Sequence, residues 1–296
     1  MSAQEVAAEH ARNRAELAEG IRQRFRDAWD RVDPARIIDT WDRQVARLLV
    51  ALTTAQSAAA GEADDYLTEV LTEQGINPAA AGRLEVGSLA GIASDGRDLE
   101  TLIRQPAITA LTAIGSGRPV DRAMTTSGFL AGLIGHTQVA DAGRVGDGVA
   151  LMARRNAGGY VRMIVGGTCS RCVILAGRHY AVNAGFDRHP KCDCVHVPTA
   201  ENDPSDLRVN PRAHFDSLSE AEQDKVFGKA GAAAIREGAD MSRVVNARSG
   251  MYTADGRLFT TAVEGKRPRL MPEEIFRSAD SREDAIRLLR LHGYLK

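Results

Sequence analysis

Aromatic side chains are scarce in this chain of 296 residues, where Phe, Tyr and Trp together account for 5% of the sequence. Its cores must therefore be built mainly from Ala, Leu, Val and Ile, which favours close-packed helices over thick sheets. The hydrophobic fraction of 44% is still typical of a folded protein. Because single cores rarely grow past about 250 residues, the length predicts two or three folded units.

Long apolar runs are missing as well. No stretch of about 18 uncharged apolar residues occurs, so we expect no membrane-spanning helix. The first twenty residues also lack the apolar centre of a secretory signal. We therefore expect a protein that is made in a cytoplasm, or packaged from one, and that has no membrane partner.

Recognisable catalytic motifs are absent too. There is no nucleophile elbow, and the segment GSGRP at 115–119 lacks the Lys-Ser/Thr ending of a phosphate-binding loop. A Cys/His pair can serve a hydrolase, but nothing here fills the remaining catalytic roles. We predict that the protein is not an enzyme. Of the histidines outside the cysteine region, we expect His10, His214 and His292 at the surface and His136 on an apolar helix face.

The first 155 residues are dominated by helical patterns. Apolar residues recur at helical spacing between Val6 and Trp29 and again between Ile37 and Leu52. Asp33–Pro34 and Asn77–Pro78 have the form of helix starts, with a capping side chain followed by proline. Residues 120–155 contain six glycines, each of which costs a helix roughly 1 kcal/mol. We therefore expect a helix there only if neighbouring elements pack tightly against it.

Strand patterns follow. Residues 160–165 alternate in strand fashion, 179–182 form a second candidate strand, and 195–198 form an edge strand that ends at proline. Beyond 205 the chain returns to helices, with a capping box at Ser219 and Glu222 and one hairpin turn at Asp255–Gly256. The predicted fold is mainly α with a small α+β zinc-knuckle module. The predicted domains are a helical N-terminal domain at 1–155, the Cys/His knuckle at 156–202 and a helical C-terminal domain at 203–296.

All four cysteines lie between positions 169 and 194. Cys169 and Cys172 form a C-x2-C pair, whose spacing lets two thiolates of one turn face a single ion. His189, Cys192 and Cys194 follow in the segment HPKCDC, where Pro190 prevents regular helix. Tetrahedral zinc needs four nitrogen or sulfur ligands, commonly two from each of two such turns. We predict a structural zinc ion held by Cys169, Cys172, His189 and Cys192, with Cys194 in reserve.

Other interpretations of these cysteines stay open. Disulfides could form in a mature particle, and buried free thiols are a further possibility, although a reducing compartment disfavours the former. A redox dithiol is disfavoured because no thioredoxin-like strand–C-x-x-C–helix context is present. The segment contains little apolar sequence, so we expect metal binding to supply its folding free energy.

This constellation resembles the phage Mu protein F-like (MuF) minor head proteins. That family is recognised by a strand, C-x2-C, a following glycine (here Gly177, before Tyr180) and a terminal HP-x-C-x-C. The resemblance covers roughly residues 120–200, and the family commonly has Arg where this chain has Asp193. The region after 205 is similar to the C-terminal portion of minor capsid proteins from actinobacterial tailed phages.

The resemblance implies a minor structural protein of a tailed-bacteriophage head, assembled in the bacterial cytoplasm and located in the virion. Its partners would be the portal or the major capsid protein, with a role in head morphogenesis or in DNA packaging and delivery. The alternative is a zinc-knuckle nucleic-acid-binding protein of the host cell.

Basic residues around the knuckle bear on that alternative. The expected basic surface consists of Arg154, Arg155, Arg162, Arg171, Arg178, Arg188 and Lys191, while Tyr160 and Tyr180 could stack on bases. The net charge of −1 argues against a dedicated nucleic-acid binder. Non-specific contact with packaged DNA is the form of nucleic-acid binding that we expect.

Overall fold

The computed structural model describes residues 1–164, 169–182, 195–200, 210–261 and 268–296. Within them the protein is mainly helical, with two small antiparallel sheets of three strands each. Its contacts group into two compact units. Unit 1 comprises Met1–Val161 and His179–Leu207, and unit 2 comprises Arg162–Arg178 and Arg208–Lys296. The division into three domains stays a prediction.

Unit 1 is built on long helices. These are α1 (Ala3–Trp29), α2 (Ile37–Gly61), α3 (Ala63–Glu73), α4 (Leu99–Gly115) and α5 (Val120–Met152). The core between α1, α2, α4 and α5 is aliphatic apart from Phe25 and two tryptophans. Trp29 and Trp41 meet edge to face with ring centroids 5.1 Å apart. Each indole N–H donates to a backbone carbonyl, that of Met124 or Ile103, so neither buried donor lacks an acceptor.

The six glycines predicted to require tight packing lie on α5, which is helical over 33 residues. A Cβ built at Gly128 would stand 2.5 Å from Cδ1 of Trp29, and one at Gly135 would stand 2.9 Å from Cδ2 of Phe25. A Cβ at Gly146 would stand 3.1 Å from the backbone of Ala60. The glycines therefore allow α1 and the end of α2 to approach α5 closely, and the buried area offsets their low helix propensity.

The two Asx-Pro helix starts predicted from the sequence are wrong. α2 begins at Ile37 rather than at Pro34, and residues 77–82 contain no helix. In both places the side chain bonds two residues ahead. The Asp33 carboxylate accepts from the amide of Ala35, and the Asn77 side chain accepts from the amide of Ala79. Such Asx turns compete with helix capping for the same side-chain oxygen.

The first sheet has strand order β2-β1-β3. Its strands are β1 (Gly159–Met163), β2 (His179–Ala181) and β3 (Val195–Thr199). In the β1–β2 pair, Tyr160 lies opposite Tyr180. All three strands were expected within one or two residues of these bounds, and β3 is at an edge as predicted.

Unit 2 is made of short elements. Its helices are α6 (Ser170–Leu175), α7 (Pro211–Ser217), α8 (Glu220–Phe227), α9 (Lys229–Arg236), α10 (Met241–Ala247), α11 (Pro272–Ser278) and α12 (Arg282–Leu291). Its sheet contains β4 (Met251–Ala254), β5 (Arg257–Thr260) and β6 (Arg269–Leu270). The capping box of Ser219 and Glu222 is confirmed. So is the hairpin turn, in which Asp255 and Gly256 both have positive φ.

The described residues include no helix that is both long and apolar enough to cross a membrane.

The glycines of α5 generate a stability prediction. Gly128→Ala should lower the free energy of unfolding by about 1–3 kcal/mol, because the new methyl group overlaps the rigid Trp29 ring. Gly148 is the matched control, since a Cβ at that position meets nothing within 4 Å. Gly148→Ala should raise stability by up to about 1 kcal/mol. Urea denaturation followed by far-UV circular dichroism measures both, and equal effects of the two variants would contradict the close-packing account.

Candidate functional site

The first cysteine pair lies at the start of α6. Cys169 is the residue that precedes the helix, and Cys172 is in its first turn. Their Sγ atoms are 3.5 Å apart. A disulfide bond would be about 2.05 Å, whereas two sulfurs bound to one tetrahedral zinc ion stand about 3.8 Å apart when each Zn–S bond is 2.3 Å. The two sulfurs are thus not bonded to each other in this structure, and their spacing is close to that of two ligands of one ion.

The position of Cys172 is fixed by the apolar core of unit 2. Its neighbours Val173 and Ile174 belong to that core, together with Phe215, Phe227 and other residues of α7–α12. Cys172 itself is 2% exposed. The expectation that metal binding supplies the folding free energy of this segment did not foresee α6, whose apolar residues pack on helices more than forty positions further along the chain.

A buried arginine accompanies the thiol pair. Arg162, at 1% exposure, places a guanidinium nitrogen 3.3 Å from Sγ of Cys172. The guanidinium N–H donates to this sulfur, and such hydrogen bonds orient the sulfur ligands of a metal ion. The prediction that Arg162 belongs to a basic surface is wrong, because its side chain is enclosed beside this sulfur.

The other predicted ligands, His189, Cys192 and Cys194, lie outside the described residues. Within the described ranges, no group of three His, Cys, Asp or Glu side chains is arranged to hold a metal ion. Of the four predicted zinc ligands, the structure therefore describes the positions of Cys169 and Cys172. The complete ligand set stays a prediction, including the choice of Cys192 over Cys194.

Two further residues of the expected nucleic-acid surface are buried. Arg154 is 3% exposed and pairs with the Asp64 carboxylate at 3.0 Å, so its charge holds α3 to the end of α5. Tyr160 is 4% exposed, and its ring stacks on that of Tyr180 and packs at a tilt against that of His196. Tyr160 is thus unavailable to stack on bases. Arg155, Arg171 and Arg178 are exposed as predicted, while Arg188 and Lys191 lie outside the described residues.

A second cluster of ionisable groups, inside unit 1, was missed by the sequence analysis. Asp147 of α5 is 3% exposed and accepts two hydrogen bonds from the Arg14 guanidinium, at 2.7 and 2.9 Å. His10 lies 3.2 Å from the same carboxylate and 3.4 Å from that of Glu62. The His10 ring also stacks on Tyr66 at a centroid distance of 3.8 Å. The prediction of a surface His10 is wrong, since the residue is 5% exposed.

The electrostatics of this cluster follow from its burial and its charges. Burial alone would raise the pKa of Asp147, but the charge of Arg14 and the hydrogen bonds from His10 and Arg14 hold that pKa well below its usual range. Burial alone would lower the pKa of His10. Hydrogen bonds to Asp147 and Glu62 outweigh that effect, so the pKa of His10 is raised.

Faint signals of this cluster are present in the sequence. His10 and Arg14 are four residues apart and so share a helix face. Gly146 directly precedes Asp147, and Gly143 lies one helical turn before it. A Cβ at Gly143 would collide with the Arg14 side chain. An acidic residue that shares a helix face with several small residues is a reason to look for a buried cation. The pairing itself spans 133 positions and is invisible to periodicity.

Comparison of the chain with protein-family models, with curated proteins and with solved structures found no match.

The raised pKa of His10 leads to a pH prediction. A histidine whose pKa is higher in the folded state stabilises that state below its unfolded pKa of about 6.5, and this stabilisation is lost as the pH rises through the folded value. His10→Gln should therefore reduce the free energy of unfolding more at about pH 5.5 than at about pH 9. Urea titrations of both proteins at the two pH values test this. An equal loss at both would mean that folding leaves the pKa of His10 unchanged, and a smaller loss at about pH 5.5 would mean that folding lowers it.

Proposed function

We propose that the protein is a minor structural component of a tailed-bacteriophage head that belongs with the MuF-like proteins and acts through contacts rather than catalysis. Its partners would be the portal or the major capsid protein, and its location the virion. The observation that carries the proposal is the thiol pair of Cys169 and Cys172, 3.5 Å apart. That pair is the first half of the C-x2-C…HP-x-C-x-C pattern by which the chain resembles this family.

The chemistry of the site supports a structural role for the metal. A zinc ion bound by Cys169, Cys172, His189 and Cys192 would have all four positions filled by protein. Such an ion cannot bind and activate a water molecule, whereas catalytic zinc sites keep one position open. The buried Arg162 guanidinium donates to Sγ of Cys172, and a hydrogen bond of this kind helps to orient a ligating sulfur.

The burial of several basic and aromatic residues weakens the alternative of a host nucleic-acid-binding knuckle. Arg154 and Arg162 are committed to Asp64 and Cys172, and Tyr160 is enclosed by other rings. Arg171 is exposed but donates to the Ser249 hydroxyl at 2.8 Å. The remaining basic surface suits non-specific contact with a polyanion such as packaged DNA better than sequence recognition.

Elemental analysis tests the metal site. Protein purified under reducing conditions should contain about one zinc ion per chain, because the motif supplies four ligands. Cys172→Ser and Cys192→Ala should lose the metal, while Cys194→Ala should retain it. Absence of zinc from the freshly reduced wild-type protein would contradict the site, and equal loss in Cys194→Ala would mean that the fourth ligand is misassigned.

The same variants also report on folding. Because Val173 and Ile174 anchor α6 in the core of unit 2, Cys169→Ser should lose zinc with little loss of helical circular dichroism.

The virion itself tests the function. Mass spectrometry of purified particles should detect the protein together with portal and capsid chains. Arg171→Ser combined with Arg178→Ser should lower its incorporation or the retention of DNA, because both residues are exposed cations of the knuckle region. The control is Lys225→Ser combined with Arg290→Ser, which removes the same charge from exposed helix positions of unit 2. Absence of the protein from particles, or turnover of a substrate by the purified chain, would contradict the proposal.

A further inference from the structure

A groove runs between α1 and α2 on the surface of unit 1. Its volume is about 990 Å³. The floor is made of small and apolar residues, namely Leu17, Gly20, Ile21, Val50, Ala51 and Ala55. Val50 is 67% exposed, the highest value of any valine described in the chain. Ile21 and Ala55 are buried at the base of the groove, at 6% exposure each, whereas Val50 projects from it into solvent. An exposed apolar side chain over a recess of small residues is a feature of surfaces that bind another protein.

Charge is distributed unequally along the groove. The two helices are antiparallel, since His10 near the start of α1 lies 3.4 Å from Glu62 just beyond the end of α2. Glu16 and Glu62 therefore line one end, and Arg24 and Arg47 line the other. Among the described residues, Glu16, Arg24 and Arg47 make no ion pair with one another or with a neighbour. One end of the groove is acidic and the other is basic.

We propose that this groove is the interface of a homodimer, in which α1 and α2 of a second copy of the chain pack against it around a twofold axis. In a twofold interface the same patch meets itself in reverse. A surface that is acidic at one end and basic at the other is complementary to its own rotated copy. Glu16 of each copy then faces Arg24 and Arg47 of the other, and two helix pairs form a four-helix arrangement.

The shape of the floor suits the same arrangement. A Cβ built at Gly20 meets nothing within 4 Å, so the glycine leaves an opening at the centre of the groove. The projecting Val50 lies within one turn of Arg47 on α2, toward the basic end of the groove. Around a twofold axis, Val50 of one copy would pack into the opening at Gly20 of the other. Helices commonly pack in this way, with the side-chain ridges of one in the grooves of the next.

Charge reversal with rescue tests the dimer. One variant carries Arg24→Glu and Arg47→Glu, and the other carries Asn13→Lys and Glu16→Lys, which spares Glu62 for its contact with His10. For a short interface we expect a wild-type dissociation constant of about 1–100 µM. Each variant alone should dimerise at least about tenfold more weakly, because like charges then face each other at both ends.

An equimolar mixture of the two variants should restore dimers, since opposite charges again meet at both ends of a heterodimer. Analytical ultracentrifugation of the full chains, with one variant labelled by a fluorophore, measures this. A wild-type chain that stays monomeric up to about 200 µM would overturn the proposal and leave the groove to a different partner. Failure of the mixture to form heterodimers would overturn it as well.

Filling the groove gives a second, uncharged test. Gly20→Leu should abolish dimerisation without loss of helical circular dichroism, because the new side chain enters space that its own chain leaves open. Gly148→Leu is the control, as that position on α5 is equally open and lies outside the groove. Gly20→Leu protein that dimerises as tightly as the wild type would exclude the groove as the interface.

Discussion

The close approach of α5 to its neighbours is the constraint on which unit 1 depends. Glycine at positions 128, 135 and 146 removes the side chains that would hold α1 and the end of α2 away. Each glycine weakens the isolated helix, so α5 is helical because of what packs on it rather than because of its own propensity. The chain has few aromatic residues to fill space between helices. The close approach of α1 and α2 to α5 allows a core of Ala, Leu and Val to reach the packing density of a protein interior.

The same glycines make room for the buried charges. Asp147 follows Gly146 and lies one helical turn after Gly143. The Arg14 guanidinium occupies the space that a side chain at Gly143 would fill. A buried carboxylate is tolerable only with a cation and well-formed hydrogen bonds, and Arg14 and His10 supply both. Packing and electrostatics are thus coupled in unit 1, because an added methyl group at Gly143 would displace the cation that makes Asp147 tolerable.

The sequence predicted those parts of the fold that local patterns determine. The strands, the capping box at Ser219, the Asp255–Gly256 turn and the conditional helix at 120–155 all follow from short-range spacing, and the structure contains them. The two Asx-Pro helix starts failed for a local reason, since Asp33 and Asn77 bond two residues ahead. The other errors concern residues whose partners are distant. His10 and Arg154 were predicted at the surface because the sequence does not show their buried partners. Asp147 is 137 positions from His10, and Asp64 is 90 positions from Arg154. Arg162 was misplaced because its burial depends on the tertiary position of α6.

For the candidate site, the C-x2-C spacing predicted that Cys169 and Cys172 come together, but not what holds them there. Val173 and Ile174 pack in the core of unit 2 and so hold α6, with Cys172 in its first turn and Cys169 just before it; apolar packing thus positions half of the proposed zinc site. Such preorganisation raises metal affinity, because the ordering of α6 is already achieved by apolar burial. It also changes the expected role of zinc. The ion would not fold the whole knuckle but would fasten the HP-x-C-x-C segment to a helix that the protein already positions. Its removal should therefore be a local event rather than the unfolding of the unit.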